Sequence, residues 1–398
     1  RKCIILRKMK VNDWEQRKVG DYLTESREIG NKGDVARKMT VKLWGKGVYE
    51  KLEAGSTNTQ YFIRHANQFI YSKLDFLNCA FGVVPEELES LETTADVPAF
   101  DCVYMNPYFM FYRTIQPSFY IQNGIIANGS RKAKRIHTDT FLEMPISVPC
   151  LTEQNKIVGY FQSLDHLITL HQHKCDEMKK LKKCMLQKMF PQNGKKVPEI
   201  RFEGFTNDWE QRKLGDVLSL LKDGTHGTHR DAESGPLLLS AKNIKNGTVQ
   251  WDESDRRISE DEYNIIHSNF RLQKGDVLLT IVGSIGEVAI LSQSEGVTFQ
   301  RSVAFLRPSD EICSEFLYSE IQGQKFQKEL NDRKSTSAQP GMYLGDLGAI
   351  PIEFPTSDEE QMQIGSYFST IDHLITLHQH KCDELQNLKK YMLQNMFV

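Results

Sequence analysis

The 398-residue chain lacks several features that define whole classes of proteins. No apolar run reaches the roughly 18 residues that a membrane-spanning helix needs. Its eight cysteines form no C-x-x-C pair and no dense framework, which argues against a disulfide scaffold. A secretory signal is also missing, so we expect reduced thiols and a cytoplasmic location. Arg1 stands in place of Met, and we expect the natural N-terminus to be missing or altered.

Motifs for nucleotide or cofactor chemistry are absent as well. The sequence has no G-x-x-x-x-G-K-[ST] loop, and Gly283-x-x-Gly286 is typical of a β-turn rather than of a phosphate loop. Asn106-Pro107-Tyr108-Phe109 is similar to the N-P-P-Y/F loop of adenine methyltransferases, but the second proline is missing. We therefore predict no catalytic residue, and no cofactor bound by this chain.

Charge of one sign is not in excess either. The net charge of −2 excludes a uniformly basic nucleic-acid coat, so any affinity for nucleic acid must come from local patches. Hydrophobic residues at 39% and charged residues at 26% are typical of a globular protein. The length is enough for about two to three domains, each with its own core.

What the chain does contain is a pair of internal repeats. The segment 12–18, Asn-Asp-Trp-Glu-Gln-Arg-Lys, returns unchanged at 207–213. The thirteen residues 165–177 return unchanged at 372–384. The segments between these blocks share almost no identity. A constant frame around different inserts indicates two docking sites for one type of partner and two separate recognition surfaces.

The second repeated block lies in segments that have the pattern of long helices. Pro149 and Pro355 end the preceding strands, and Thr356 with Glu359 can form a capping box. We predict globular domains and helices with these bounds: domain 1–151, helix 152–190, domain 191–357 and helix 358–398.

Apolar residues in both helices follow a heptad spacing with a polar break at the centre. Neither stripe is stable in water, and the simplest partner for each is the other, so we predict an antiparallel coiled coil within a pseudo-two-fold repeat. The predicted seam includes Ile157, Leu164, Leu167, His171 and Met178, and in the copy Ile364, Ile371, Leu374, His378 and Leu385.

The two histidines in this seam have an alternative interpretation as metal ligands. His171-x-His173-x-Cys175 and its copy from His378 could together bind zinc. Residues at i, i+2 and i+4 do not share one helix face, however, and a polar residue in a seam fixes register. We favour the structural interpretation and predict no metal site.

The inserts have mixed α/β patterns. Residues 275–282 indicate a strand, 283–286 a turn, and 287–291 the returning strand. Residues 67–74 and 80–85 form a weaker equivalent in the first insert. The fold class predicted for the whole chain is therefore α/β (mixed), with two globular domains separated by the helix pair.

Basic and polar residues on predicted loops are candidates for contacts with DNA. Such side chains contact phosphates or read base edges. The candidates in the first insert are Lys73, Ser130, Arg131, Lys132, Lys134 and Arg135, and those in the second are Lys222, Thr225, His226, Lys242, Ser337 and Gln339.

The chain resembles the specificity subunits of type I restriction–modification systems over almost its full length. The resemblance rests on the repeated Asn-Asp-Trp-Glu-Gln-Arg-Lys-x-Gly-Asp, on Lys222–His226, on the strand and turn between Gly275 and Gly286, on Pro149-x-x-x-Glu153-Gln154 and on the duplicated helix block. It implies two target-recognition domains, each followed by a helix, and a subunit without catalytic activity of its own.

The resemblance also implies the partners. These are double-stranded DNA, two methylation subunits and two restriction subunits, with adenosylmethionine, ATP and Mg on the partner subunits and no membrane. Two alternatives are a non-catalytic coiled-coil scaffold and a duplicated DNA-modifying enzyme. The scaffold leaves the two different basic inserts unexplained, and the enzyme lacks cofactor and metal motifs.

The loop around Gln339 provides a direct test of base reading. Loss of one bidentate base contact costs about 1–3 kcal/mol and relaxes one position of the target, whereas loss of a phosphate contact weakens binding to every sequence. We expect Gln339→Ala to reduce the affinity for cognate DNA more than for scrambled DNA in a fluorescence-anisotropy titration. An equal loss on both duplexes, or no loss, contradicts this assignment.

Overall fold

The computed structural model describes residues 14–53, 57–125, 128–130, 133–192, 194–335 and 340–397, with the backbone alone for 128–130 and 133–134. The contacts between residues divide the chain into two compact units. Unit 1 contains the residues up to Thr169 together with those from Cys382 onward, and unit 2 contains Leu170–Lys381.

Unit 1 has a four-stranded antiparallel sheet with the strand order β2-β10-β7-β8. These strands are β2 (Leu23–Ser26), β7 (Phe69–Tyr71), β8 (Phe81–Val83) and β10 (Ala99–Cys102). The predicted strand and return strand within 67–85 are confirmed, because β7 pairs antiparallel with β8 from Phe69 opposite Val83 to Tyr71 opposite Phe81. Aromatic side chains fill the core on this sheet, and Tyr71, Phe100 and Phe141 lie in ring contact.

A second sheet in unit 1 has five strands in the order β3-β6-β9-β4-β5. They are β3 (Ile29–Lys32), β4 (Lys38–Val41), β5 (Val48–Lys51), β6 (Gln60–Ile63) and β9 (Glu92–Thr94). The unit also contains β1 (Glu15–Lys18), β11 (Asn128–Ser130), β12 (Ala133–Arg135), β13 (Pro145–Val148), α1 (Pro107–Thr114), α2 (Pro117–Gly124) and α3 (Thr138–Leu142).

Unit 2 repeats the first sheet with the equivalent strand order, β15-β22-β19-β20. These strands are β15 (Leu218–Asp223), β19 (Val277–Thr280), β20 (Val288–Ile290) and β22 (Val303–Pro308). The predicted strand, turn and return strand between 275 and 291 are confirmed by the antiparallel pairing of β19 with β20. Two inserts without obvious identity therefore form the same arrangement of four strands.

The rest of unit 2 is built around this sheet. Its other strands are β14 (Glu210–Lys213), β16 (Leu237–Leu239), β17 (Ile244–Lys245), β18 (Thr248–Val249), β21 (Val297–Phe299) and β23 (Pro351–Phe354). Its shorter helices are α5 (Glu260–Ile266), α6 (Ser314–Gln322), α7 (Gln324–Arg333) and α8 (Leu344–Gly348). β16 and β21 are parallel, whereas β17 pairs antiparallel with β18.

Each repeated Glu-Gln-Arg-Lys segment forms a short strand that pairs with the strand before a long helix. β1 pairs with β13, with Glu15 opposite Val148, and β14 pairs with β23, with Glu210 opposite Phe354. The constant frame is thus a two-stranded ribbon that leads into a helix in each half.

The two long helices are α4 (Leu151–Lys188) and α9 (Asp358–Met396). Their bounds lie within about two residues of the predicted ones, as is usual for helix ends. The N-terminal cap of α9 differs from the prediction, because the Ser357 hydroxyl rather than Thr356 accepts a hydrogen bond from the Glu360 amide, at 3.4 Å. A serine one residue further along takes the capping position, which favours a short polar side chain.

Within each unit the two helices run antiparallel, as predicted. In unit 2, His171 contacts His378, and Lys182, further along α4, contacts Asp372, which lies earlier in α9. In unit 1, the Phe161 ring stacks near Phe397, while Asp165 pairs with Lys389. The axis relating the two halves concerns the placement of the units and stays a prediction.

The seam of α4 differs from the predicted one at alternate positions. Ile157 and Leu164 are buried as predicted, but Leu167 is 40% exposed while Ile168 is only 9% exposed. The buried positions step by four and then three residues from Ile157, through Phe161, rather than by three and then four. Both phases of a heptad have the same period, so spacing alone did not separate them.

The copy of the seam in α9 behaves similarly. Ile364, Ile371 and Leu385 are buried. Leu374 is only half-buried, and with Met178 it lines an open groove rather than a closed seam.

The histidines meet at the centre of the helix pair in unit 2. The Nδ1 atoms of His171 and His378 are 3.0 Å apart, so one ring donates and the other accepts. Burial and the neighbouring His378 lower the pKa of His171. Within the described part of the chain, no group of three or more His, Cys, Asp or Glu side chains is placed to hold a metal ion.

None of the helices in the described residues combines the length and the apolar character that a bilayer crossing requires.

Glu320 on α6 is a buried carboxyl in the middle of unit 2. Burial, and then the nearby Glu353 carboxylate, raise the pKa of Glu320 to about 8 from an ordinary value of 4.5. Because the folded pKa is raised, the stabilising contribution of the neutral carboxyl is fully present below the unfolded pKa. It is lost as the pH rises through the folded pKa.

We expect Glu320→Gln to flatten the pH dependence of stability. The free energy of unfolding of the wild type should fall between about pH 5 and pH 9 by more than about 1 kcal/mol relative to the variant, which has no carboxyl to ionise. Urea unfolding followed by circular dichroism at both pH values measures this. Glu315→Gln, at an exposed position of the same helix, is the control. If the free energy of unfolding changed equally with pH in the wild type and in Glu320→Gln, ionisation of Glu320 would not destabilise the fold.

Candidate nucleic-acid interface

The candidate residues of unit 2 lie on loops that leave one end of its four-stranded sheet. β15 ends where β22 begins, with Asp223 opposite Ala304, and β19 ends opposite the same point, with Thr280 opposite Val303. The loops after β15 and β19 and the loop before β22 therefore leave the sheet together. We call this set of loops the unit 2 loop cluster.

The loop after β15 is held by backbone hydrogen bonds to the end of β21 and to the residues that follow it. The Thr225 amide donates to the Phe299 carbonyl at 2.9 Å, and the Arg301 amide donates to the Thr225 carbonyl at 3.0 Å. Gly224 is required between these bonds, because a Cβ there would lie 2.2 Å from the Phe299 oxygen and 2.3 Å from the Gln300 oxygen. The Asp-Gly-Thr-His motif thus places Thr225 and His226 on an anchored turn.

Side-chain contacts orient the polar groups of this turn. Asp223 Oδ2 lies 2.6 Å from His226 Nε2, so that Nε2–H donates to the carboxylate, and in a neutral ring Nδ1 is left as an acceptor. Thr225 Oγ1 lies 2.7 Å from His229 Nε2. The Arg256 guanidinium donates to the His229 carbonyl at 2.8 Å, and this bond holds the part of the loop that follows His226.

Two predicted cations already have partners in unit 2. The Lys222 ammonium lies 4.8 Å from the centre of the Phe270 ring, and the Lys242 ammonium pairs with Asp255 at 2.7 Å. The bond from Lys242 is the main cause that lowers the pKa of Asp255 to about 2. Lys242 remains largely exposed and stays beside the loop cluster, because the adjacent Ala241 amide donates to the Ser302 hydroxyl.

Ser337 and Gln339 lie outside the described residues, but the residues on either side of them are placed. Gly341 forms a bridge to Val282, and the Met342 amide donates to the Ile281 carbonyl at 2.9 Å. The described residues on both sides of this segment lie beside the loop after β19, since the Ser335 amide donates to the Gly341 carbonyl at 2.9 Å.

The equivalent end of the sheet in unit 1 carries Lys73 and the strand β12, which ends at Arg135. The Lys73 amide donates to the Asp96 carbonyl at 2.8 Å, and the Ile136 amide donates to the Lys73 carbonyl at 3.0 Å. The second bond matches that from Met342 to Ile281, so Ile136, which follows β12, and Met342 meet equivalent points of the two sheets.

The side chains of the first insert are only partly described. Arg135 is exposed and lies 3.5 Å from Asp96, and burial lowers the pKa of Lys73. Arg131 and Lys132 lie outside the described residues, and for Ser130 and Lys134 the structure describes the backbone alone.

Two exposed residues beside these loops were missed by the sequence analysis. Arg301 in unit 2 is exposed and lies next to Thr225 in the loop cluster. Trp44 in unit 1 is 60% exposed, at the tip of the β4–β5 hairpin, with its amide bonded to the Asn78 carbonyl in the loop that begins near Lys73. Both sit in short turns, where only the pairing of the flanking strands gives their position.

A different set of contacts fixes the constant frame to the long helices. The indole N–H of Trp14 donates to Glu153, and that of Trp209 donates to Glu360, both at 3.3 Å. In unit 2, Arg201 adds two further bonds to Glu360. The repeated segment of the frame thus ties a tryptophan to the first turn of the long helix in each half. Strand β1 keeps all four of its residues exposed.

The chain is similar in sequence to known proteins. Residues 206–387 match a family model described as the type I restriction modification DNA specificity domain. The chain is 24% identical over 300 residues to the type I restriction enzyme MjaVIII specificity subunit of Methanocaldococcus jannaschii, covering 73% of this chain and 69% of that protein. It is 23% identical over 197 residues to the EcoBI specificity subunit of Escherichia coli, covering 48% of this chain and 41% of that protein.

Solved structures agree in fold. The type I restriction-modification S subunit of M. genitalium superposes with a TM-score of 0.60 at 12% identity, with 98% of both chains covered. A chain from a structural study of the type I R-M system gives a TM-score of 0.50 at 17% identity, with 97% of this chain and 98% of that chain covered. At this level of identity the likeness shows the fold alone. Taken with the sequence matches, it makes this chain similar to the type I restriction–modification DNA specificity subunits.

Proposed function

We propose that this chain is the non-catalytic subunit that reads a bipartite DNA target, with one half-site recognised by each insert. Each insert has its own four-stranded sheet, and the two sheets have the same strand order although the inserts share no obvious identity. The observation that carries this proposal is that polar loops leave the equivalent end of both sheets. Because the loops differ in sequence, the half-sites should differ, and the complete target should be asymmetric.

Within unit 2, the anchored turn is the best candidate for reading bases. In its neutral form His226 presents Nδ1 as an acceptor, which suits the amino groups of adenine or cytosine in the major groove. Arg301 and Lys242, being exposed cations at the edge of the cluster, suit phosphates. Lys222 packs on Phe270 and would act by holding the loop rather than by touching DNA.

We further propose that the frame and the outer helix surfaces dock the partner subunits. The exposed strands β1 and β14 supply equivalent surfaces for two methylation subunits, and restriction subunits would join the same complex. In unit 2 the helices also form an open apolar groove of about 710 Å³, lined in part by Met178, Leu181, Tyr367 and Leu374. Adenosylmethionine, ATP and Mg would be bound by these partners.

Exchange of one insert tests the modular reading. Replacing residues 216–357 with the corresponding segment of a related chain should change one half-site and leave the other unchanged, because each insert contains a hydrophobic cluster made only of its own residues. Methylome sequencing of a host that carries either version reads both half-sites. The reciprocal exchange of 21–151 is the matched control. A change in both half-sites after a single exchange would rule out modular reading.

The anchored turn gives a second test. Gly224→Ala should force the turn away from Phe299 and Gln300, lower the stability of the fold by about 1–3 kcal/mol and weaken binding to cognate DNA. Differential scanning fluorimetry and anisotropy titration measure the two effects. Gly345→Ala is the control, because a Cβ there meets nothing within 4 Å. Unchanged cognate affinity in a displaced turn would remove this loop from the interface.

A further inference from the structure

A lysine, an aspartate and a tyrosine from three different elements meet at one point in unit 2. Lys182 on α4 donates to Asp372 on α9 at 2.7 Å, and the Tyr318 hydroxyl on α6 donates to the same carboxylate oxygen at 3.0 Å. The Lys182 ammonium also lies 5.7 Å from the centre of the Tyr318 ring. Gln322, one turn along α6, accepts a further hydrogen bond from Lys182.

The same three residue types meet in unit 1, with the helices exchanged. Lys389 on α9 pairs with Asp165 on α4 at 2.5 Å, and the Tyr112 hydroxyl on α1 donates to Asp165 at 3.3 Å. The Lys389 ammonium lies 5.9 Å from the centre of the Tyr112 ring. Gln116 donates to the Tyr112 carbonyl, as Gln322 does to that of Tyr318. We call each of these constellations a junction.

The junctions join the globular part of a unit to both of its long helices. α1 and α6 belong to the variable inserts, whereas the aspartates lie in the repeated block and the lysines beyond it. The hydroxyl bond ties the insert to one helix, and the ammonium bond ties that helix to the other. A charged group held among three elements favours one arrangement over its alternatives more than it adds stability, because both charges lose water on pairing.

The two junctions differ in exposure. The Asp372 side chain is 22% exposed and that of Asp165 is 44% exposed. The Lys182 side chain is 13% exposed and that of Lys389 is 26% exposed. Interactions between charges weaken as water reaches them, so the unit 2 junction holds its insert more firmly.

We propose that the junctions are positioning elements that make the complex selective for the length of DNA between the half-sites. This inference rests on the proposed function. One added base pair moves a half-site by about 3.4 Å along the helix axis and rotates it by about 34°. Rejecting such a target requires each recognition loop to be held rigidly on the helix pair. Tyr318, Asp372 and Lys182 supply that hold in unit 2, and Tyr112, Asp165 and Lys389 supply it in unit 1.

The test measures methylation of DNA duplexes with identical half-sites and spacers of the natural length, one base pair shorter or one longer. The complex is assembled from this chain and the methylation subunits of its host. We expect Asp372→Asn to raise the ratio of off-length to natural-length methylation by about tenfold, which is part of the roughly hundredfold that misplacement by an ångström can cost in rate. Asp165→Asn should raise it less, since that junction is more exposed. Asp176→Asn, at an exposed position on α4, should leave it unchanged.

A second variant and a rescue separate positioning from loss of folding. Tyr318→Phe removes only the hydroxyl bond and should raise the same ratio, even if Asp372→Asn fails to fold. Lys182→Asp combined with Asp372→Lys should restore part of the selectivity. An equal fall in methylation at all three spacings, or altered half-site bases, would overturn the proposal. If the wild type methylates no bipartite target, the proposed function itself fails, and that outcome is distinct from both.

Discussion

The structure depends on the burial of one apolar stripe on each long helix. Neither stripe is stable in contact with water. Each helix contributes to the core of both units: Ile157 and Leu164 of α4 lie in the unit 1 core with Leu385 of α9, whereas Ile364 of α9 lies in the unit 2 core. The core of each globular part therefore includes residues of the long helices. Each one is completed by a helix that begins in its own half and by the end of the helix from the other half.

This shared construction explains what stays constant along the chain. Trp14 and Trp209 bond to carboxylates in the first turn of the helix that follows, and the junction aspartates lie in the repeated block. A change at these places would disturb contacts in the frame itself. The loops at the end of each four-stranded sheet make no contacts of this kind. Strand pairing fixes the two ends of each loop, and the residues between those ends can differ. Recognition can diverge without altering the frame.

The candidate site shows where reasoning from residue types stops. Residue type alone gave equal support for DNA contacts by Lys222, His226 and Lys242. In the structure, Lys222 covers an aromatic ring, Lys242 neutralises a carboxylate and His226 is oriented by Asp223. Arg301 drew no attention because it stands between two strands with no basic neighbour. Its position beside Thr225 follows only from the pairing of strands that are distant in the chain.

The sequence by itself determined the duplication, the two long helices, the principal hairpin of each insert and the resemblance to type I specificity subunits. These features depend on local periodicity, on prolines at the ends of elements and on identity between segments, all of which can be read along the chain. Tertiary structure alone decided the phase of the seam, the partner of each lysine and the meeting of Tyr318 with Asp372. A heptad pattern fits two phases equally well, and a charged side chain reaches whichever partner packing brings near. Those choices depend on distances between elements far apart in the chain, which local patterns do not encode.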